Sequence, residues 1–361
     1  MNLSLETLQV IWIILIAVLW IGYFILEGFD FGVGMLVGNL AKTEAEKRTL
    51  YTTLGPLWDG NEVWLLVAGG ATFAAFPEWY ATLFSGFYLP LFLILVALIL
   101  RGVAMEYRSK YGDPTWRKRW DIAMTVGSFL PSLLWGVAFG NLVRGVELVR
   151  NVDNGLFAGW AFTGGFFSLL NPFSLLGGLV TLGLFYTHGA VFISLKTDGA
   201  LRERARERAF KAGLITAVLA VAFLLWAQFA YSNNAGITLV TVLLTAVAWV
   251  GAIFAIKVGR EGWSFTLSAL TMALAVGSLF AMLFPYVMPN IDGRNADDGF
   301  SLTIYNASST EGTLKIMTLV AVIMVPIVLV YQAWTYWVFR KRLTAEMIPS
   351  PEVGILDEVH A

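Results

Sequence analysis

Four acidic residues form two closely spaced pairs inside apolar stretches near the start of the chain. Glu27 and Asp30 lie within the run LEGFDFGVGML, and Asp59 and Glu62 lie within WDGNEVW. In each pair the spacing of three residues places both side chains on one face of a helix. An ionisable side chain at bilayer depth costs roughly 2.5–3.5 kcal/mol on insertion scales, and such residues usually mark ion or proton paths. The pattern therefore points to carboxyl groups that carry protons.

Each pair also has a simpler interpretation. Glu27 and Asp30 could form a polar interfacial band at the end of an overlong helix. Asp59 and Glu62 could cap the N-terminus of the next helix, where the helix dipole favours negative charge. The sequence alone leaves these alternatives open.

Three further residues have both a chemical and a structural interpretation. Glu106 is followed by Arg108, which suits an interfacial ion pair as well as a proton path. Trp64 lies on an apolar face, where packing is the default role. His188 is the one histidine in the apolar part of the chain, since His360 lies in the tail. A b-type haem needs two axial ligands, or one histidine with an open site, so a single histidine favours a core residue over a haem ligand.

The composition is that of a membrane protein. The chain has 361 residues, of which 58% are hydrophobic and 14% charged, and its mean hydropathy is +0.71. A soluble domain is nearer half apolar and a quarter charged. The absence of cysteine excludes disulfides, thiolate metal sites and iron–sulfur clusters, and the net charge of −1 argues against a nucleic-acid partner.

Since no lysine or arginine precedes Lys42, we expect the first apolar run to be a retained helix and not a signal peptide.

Nine apolar runs are long enough to cross a bilayer, which requires about 20 helical residues. The sequence therefore predicts an all-α integral membrane protein, with one nine-helix domain over residues 1–342 and a disordered cytoplasmic tail over residues 343–361. The expected spans are Leu8–Leu40, Pro56–Phe76, Tyr80–Glu106, Trp120–Asn141, Leu169–Leu195, Ala209–Tyr231, Ile237–Lys257, Trp263–Val287 and Leu314–Phe339.

The distribution of lysine and arginine predicts the orientation. The side of the membrane reached at the ends of the first, third, fifth and seventh spans, together with the tail, holds 20 of the 24 basic residues when Arg101, which lies inside the third span, is counted with it. The positive-inside rule then places the N-terminus outside and the C-terminus in the cytoplasm. In this orientation both acidic pairs, Glu106 and His188 lie in the cytoplasmic half, as a proton intake would require. The four basic residues assigned to the other side are Arg144, Arg150, Arg294 and Lys315.

These stretches resemble subunit II of the cytochrome bd-type quinol oxidases. The resemblance covers essentially residues 1–342, and its combination of motifs is far more specific than any one of them. The motifs are EGFDFGVGML (27–36), WDGNEVW (58–64), GGA (69–71), FSGFY (84–88), YRSK (107–110), WGVAFGN (135–141), LNPF (170–173) and FPYVMP (284–289).

The resemblance implies a haem-free subunit of a terminal oxidase in the bacterial cytoplasmic membrane. Such an enzyme takes electrons from a quinol and reduces oxygen to water, with haems b and d and the quinol site in subunit I, the heterodimer partner. It implies no catalytic residue and no metal or cofactor ligand on this chain. A structural quinone in this chain and additional small single-helix subunits stay open, as does the quinone type.

The resemblance also implies roles by position. Asp30, Asp59 and Glu106 match acids of the family's proton-supply route, and Trp64 matches a tryptophan near its oxygen entry path. Glu106 stands where some relatives have aspartate, and His188 where some have glutamine, so the role of His188 is open. We include Glu27 and Glu62 in the expected proton path because each is paired with one of these acids.

Two other functions fit the intramembrane acids alone. A proton-coupled transporter would use them, but transporters usually show repeated halves and broken helices that meet at the midplane. No convincing inverted repeat is present here, and the acids lie off the midplane. A purely structural assembly partner would have all proton routes in the other chain.

Overall fold

Long apolar runs and a few well-defined helix breaks determine the architecture. The computed structural model describes residues 3–151, 159–291 and 301–348. Its α-helices are α1 (Leu5–Leu36), α2 (Glu44–Leu54), α3 (Trp58–Ala75), α4 (Pro77–Gly86), α5 (Tyr88–Tyr107), α6 (Pro114–Arg144), α7 (Pro172–Lys196), α8 (Gly199–Tyr231), α9 (Ala235–Lys257), α10 (Glu261–Leu283) and α11 (Glu311–Val338).

Two small antiparallel sheets follow helix ends on the side of the bundle away from α2. Strand β1 (Leu148–Asn151) pairs with β2 (Gly159–Phe162), and β3 (Tyr286–Met288) pairs with β4 (Leu302–Thr303). Two short 3₁₀ helices, Phe166–Leu169 and Ala345–Met347, complete the described elements. We refer below to the two ends of the bundle as the α2 end and the sheet end.

The first helix, α1, is the centre of the bundle and packs against α3, α6, α7 and α10. Its residues 27–36 are all buried. Glycine allows the closest of these contacts. A Cβ atom added at Gly32 would lie 2.0 Å from the backbone oxygen of Phe185 and 2.7 Å from the Cα atom of Gly189. The backbones of α1 and α7 therefore touch, as small residues permit between membrane helices.

Eight of the described helices are long and apolar enough to cross a membrane: α1 and α5 through α11. They correspond to eight of the nine expected spans. The second expected span is present as α3, but its acidic first turns leave it less apolar than the others, and it is not among the eight. The count of nine crossings therefore stays a prediction.

The prediction of one continuous helix over Tyr80–Glu106 is wrong, because the helix is interrupted at Phe87, between α4 and α5. Pro90 explains the break, since its ring has no N–H to donate and would clash with the carbonyl of Gly86 in a continuous helix. The predicted end at Val287 is also wrong, because α10 stops at Leu283, two residues before Pro285.

Two segments expected to be links are helical. The segment after α1 contains α2, which Thr43 caps by accepting a hydrogen bond from the Glu46 N–H at 3.2 Å. Leu50 and Leu54 lie one turn apart on its buried face. The charged segment 196–211 is mostly the start of α8, which Asp198 caps. Because α2 is amphipathic and the start of α8 is charged, hydropathy alone does not detect them.

Some expectations fall outside the described residues. They include Arg294, which lies within residues 292–300, His360, and the predicted tail from residue 349 onward. Of the predicted tail, residues 343–348 are described, and the Leu343 N–H donates to the Lys196 carbonyl at 2.8 Å.

We predict that Gly32→Ala lowers the stability of the purified protein by about 1–3 kcal/mol, the usual cost of overpacking. The added methyl group would meet backbone atoms of α7, which cannot rotate away as a side chain can. The measurement is the midpoint of thermal unfolding in detergent. Gly277→Ala is the matched control, because a Cβ there would have no atom within 4 Å beyond the adjoining backbone of its own helix. Equal midpoints for the two variants would contradict this account of α1–α7 packing.

Candidate functional site

A fully buried arginine connects three of the predicted acids. Arg101 lies in α5 and pairs through Nη1 with Glu27 of α1. The same nitrogen lies 2.9 Å from Oε1 of Glu62 on α3, and Nη2 lies 3.8 Å from Oδ2 of Asp30 on α1. One guanidinium therefore joins three helices. We call Glu27, Asp30, Glu62 and Arg101 the Arg101 cluster.

Hydrogen bonds extend this cluster to α11. Asn61 donates from Nδ2 to Oδ2 of Asp30 at 2.7 Å. The side-chain oxygen Oδ1 of Asn61 in turn accepts a hydrogen bond from the Tyr336 hydroxyl at 2.8 Å and another from Nε2 of Gln332 at 3.2 Å. The buried oxygens Oδ1 of Asp30 and Oε2 of Glu27 have no hydrogen-bond partner among the described residues. Either of these two buried oxygens can therefore take a proton.

The charges of the cluster do not balance. If all three carboxyl groups were ionised, the single guanidinium would leave two negative charges in excess. A water-poor interior opposes unpaired buried charge, so we expect the cluster to hold at least one proton. The Arg101 guanidinium also lies 4.9 Å from the centre of the Phe31 ring, a cation–π contact that stabilises its charge.

Asp59 and Glu106 lie outside the cluster. Asp59 is exposed in the first turn of α3, one helical turn before Glu62. The side chain of Glu62 is 27% exposed, whereas that of Glu27 is fully buried. Burial therefore increases in steps from Asp59 through Glu62 to Glu27. Glu106 is exposed near the end of α5, five residues after Arg101.

Trp64 and His188 both contact neighbouring helices. The ring of Trp64 covers Gly22 of α1, where an added Cβ would lie 2.1 Å from a ring carbon. His188 is buried on α7, with Nδ1 2.7 Å from the Ser268 hydroxyl and its ring stacked on Phe265 at 4.6 Å. Over the described part of the chain, no group of three or more His, Cys, Asp or Glu side chains is arranged to hold a metal ion.

A second ionic network holds the α2 end together. Arg108 donates to both carboxylate oxygens of Glu44 at 2.8 and 2.9 Å and to Oδ1 of Asp121 at 2.5 Å. Lys47 reaches the other oxygen of Asp121 at 2.8 Å. Burial lowers the pKa of Arg108, but its bonds to Glu44 and Asp121 outweigh burial and raise the pKa above its ordinary value. The network fixes α2 across the ends of α5 and α6.

Sequence reasoning missed Arg101, the residue on which the cluster depends. The signal was present, because Arg101 is the one charged residue in the apolar run from Tyr88 to Met105, and a charged residue inside such a run is a functional candidate. Tyr336 and Gln332 gave no comparable signal, since they lie among residues that suit an interfacial helix end. The sequence also did not indicate that Asp121 would bind Arg108.

Comparison with known proteins gives consistent matches over nearly the whole chain. The family model described as cytochrome bd terminal oxidase subunit II matches residues 8–339. The cytochrome bd-I ubiquinol oxidase subunit 2 of Escherichia coli strain K12 is 40% identical over 375 residues, covering 95% of this chain and 97% of the relative. The cytochrome bd ubiquinol oxidase subunit 2 of Bacillus subtilis strain 168 is 39% identical over 343 residues, covering 94% and 98%.

A solved structure has the same fold. The structure of bd oxidase from Geobacillus thermodenitrificans matches with a TM-score of 0.72 and 19% identity, covering 93% of this chain and 100% of that chain.

We predict that Arg101→Met destabilises the protein by about 3–5 kcal/mol, because it leaves buried carboxyl groups without their counter-charge. The double variant Arg101→Met with Glu27→Gln removes both charges and should regain much of that loss. The measurement is thermal unfolding of the purified protein. A single variant as stable as the unchanged protein would show that Arg101 does not hold the cluster.

Proposed function

The chain belongs to the cytochrome bd terminal oxidase subunit II family, and on that premise we propose that it supplies protons to oxygen reduction carried out in a partner subunit. Through that family it is a multi-pass protein of the bacterial cytoplasmic membrane and a subunit of a quinol oxidase. In this proposal it binds no haem. Haems b and d and the quinol site belong to subunit I.

The observation that carries the proposal is the graded set of acids that ends at Arg101. A proton entering from the α2 end would meet exposed Asp59, then half-buried Glu62, then the buried pair of Glu27 and Arg101. Asp30 lies 3.8 Å from the same guanidinium and binds Asn61. Carboxyl groups within one or two water molecules of each other can exchange protons. One guanidinium cannot neutralise three carboxylates in a buried site, so the cluster would keep at least one exchangeable proton.

We propose that subunit I docks on the face formed by α3, α5 and α11. Of the eight candidate spans, α11 is the least buried in this chain. On α5, Phe92, Ile99 and Glu106 are spaced by seven residues, share one face and are all exposed. On α3, Leu66 follows Asp59 by seven residues and is 72% exposed. An apolar face that also carries exposed acids suits a protein partner better than lipid.

The same proposal includes the orientation and the number of crossings. With α3 as a ninth crossing, covered by subunit I, the N-terminus is outside and the C-terminus cytoplasmic, and the α2 end faces the cytoplasm. Apart from the buried Arg101, 19 basic residues lie toward this side and four toward the other, and this bias supports the arrangement. Lys196 at the end of α7 binds the Phe339 carbonyl just after α11, consistent with both helices ending on one side.

Other implications of the family stay predictions. They are an oxygen path beside Trp64, a role for Glu106 at the mouth of the proton path, a structural quinone, small single-helix subunits, and a cytoplasmic tail over residues 343–361. Trp64 lies on α3 close to the proposed docking face, which supports the first of these.

We predict that Asp30→Asn and Glu62→Gln, each tested in the assembled complex, lower quinol-driven oxygen consumption by on the order of tenfold or more, because each removes a group that exchanges protons. Turnover is normalised to haem content so that assembly defects are separated from slow proton delivery. Glu311→Gln is the control, since Glu311 is an acid at the sheet end paired with Lys315 at 2.5 Å. Unchanged turnover in both test variants would favour the purely structural role.

We predict that a photo-activated cross-linker attached at Ile99→Cys captures subunit I. The chain has no cysteine of its own, so this site on it is unique. The control is Val247→Cys on α9, which is 70% exposed and lies away from the proposed face. The measurement is the yield of the cross-linked heterodimer. Equal yields from the two positions, or capture only from Val247→Cys, would place the interface elsewhere.

A further inference from the structure

An open hollow of about 500 Å³ lies between the end of α1 and the first half of α8, at the α2 end. Four basic side chains and one acidic side chain line it: Lys42, Arg204, Arg208, Lys211 and Glu207. Glu46, which pairs with Arg204 at 2.7 Å, raises the number of carboxylates to two. These six residues therefore carry an excess of two positive charges, and none of them belongs to the Arg101 cluster.

The two arginines are held in place by the walls of the hollow. Nε of Arg204 donates to the Leu40 carbonyl at 3.3 Å, at the end of α1. Nη1 of Arg208 donates to the Tyr186 hydroxyl at 3.3 Å, and that hydroxyl donates to Oδ1 of Asn39 at 3.2 Å. A guanidinium with fixed orientation loses little freedom when it binds a phosphate, which it can contact through two parallel N–H groups.

One face of α8 changes from charged to apolar at the hollow. Arg208, Lys211, Ile215 and Val218 follow one another at helical spacing, and all are exposed. Ile215 lines the hollow and is 65% exposed, and Val218, one turn further along, is 72% exposed. The face therefore presents basic groups first and an apolar surface next, which is the order of headgroup and acyl chain in a phospholipid.

We propose that this hollow binds the headgroup of an anionic phospholipid, with an acyl chain lying along Ile215 and Val218. Basic pockets between membrane helices on the cytoplasmic side are suited to anionic headgroups. Free phosphate could use the basic rim but would gain nothing from the apolar face below it. The hollow lies between α1 and α8, away from the face of α3, α5 and α11 assigned to subunit I, so lipid can reach it in the complex.

The test uses the complete complex of this chain with subunit I, reconstituted in nanodiscs of phosphatidylcholine. Val218→Cys is labelled with a bimane fluorophore, and the complex without this cysteine gives the labelling background. A minor fraction of dibrominated phosphatidylglycerol, or of dibrominated phosphatidylcholine, is then included, and quenching of the fluorophore reports which lipid lies beside residue 218. We expect phosphatidylglycerol to quench at a much lower mole fraction.

The variant Arg208→Gln with Lys211→Gln should lower this preference for phosphatidylglycerol by on the order of tenfold, since each basic residue near an anionic headgroup adds several-fold to affinity. The matched control, Arg119→Gln with Lys341→Gln, removes two exposed basic side chains elsewhere and should keep the preference.

Three results would overturn the proposal. They are equal quenching by the two brominated lipids, an unchanged preference in the Arg208 and Lys211 variant, and loss of the preference when millimolar inorganic phosphate is added. The last result would identify the occupant as a free anion. Oxygen consumption does not enter the readout, so the outcome is independent of the proposed proton path.

Discussion

The structure depends on one electrostatic constraint, the burial of the Arg101 guanidinium among three carboxyl groups within a membrane bundle. Moving any one of these groups alone from water to the interior would cost several kcal/mol, and their mutual attraction offsets this only when the geometry is good. The four groups lie on α1, α3 and α5, so none of these helices can bury its ionisable residues without the others. The packing of α1, α3 and α5 is therefore stable only in the arrangement that brings these four groups together.

This constraint explains the unusual helix α3. Its polar first turns make it less apolar than the other long helices, and a helix of this kind is poorly stable in lipid alone. Asn61 and Glu62 find their partners on α1, α5 and α11. The close backbone contact of α1 with α7 at Gly32 and Gly189 brings the acid-bearing part of α1 into the middle of the bundle. Glu27 and Asp30 thus lie away from lipid.

Much of the fold follows from the sequence, and the misses have physical causes. Hydropathy located the long helices, because a bilayer requires long apolar segments whatever their neighbours are. It missed α2 and the start of α8, which lie among charged residues and are stabilised by caps and ion pairs such as Arg204 with Glu46. The break at Phe87 was readable from Pro90, but the continuous apolar character of the segment concealed it.

The site was predictable only in part, because sequence spacing gives a helix face but not what that face contacts. The spacing of Glu27 and Asp30 correctly placed both acids on one face. It could not show that Asp59 would be exposed while Glu62, one turn later, would approach Arg101. That difference depends on how α3 is rotated against α1 and α5, which is set by packing across the whole bundle.

In the proposed function this chain moves protons, while electron transfer takes place in subunit I. Proton movement needs groups that change from exposed to buried over short steps, and Asp59, Glu62 and Glu27 provide such steps. Electron transfer to oxygen needs a redox centre, and the family assignment places that centre in subunit I. A buried cluster with surplus carboxyl groups is useful only if its protons are consumed nearby. The exposed apolar face of α3, α5 and α11, which begins beside these acids, is where we propose that the proton-consuming subunit lies.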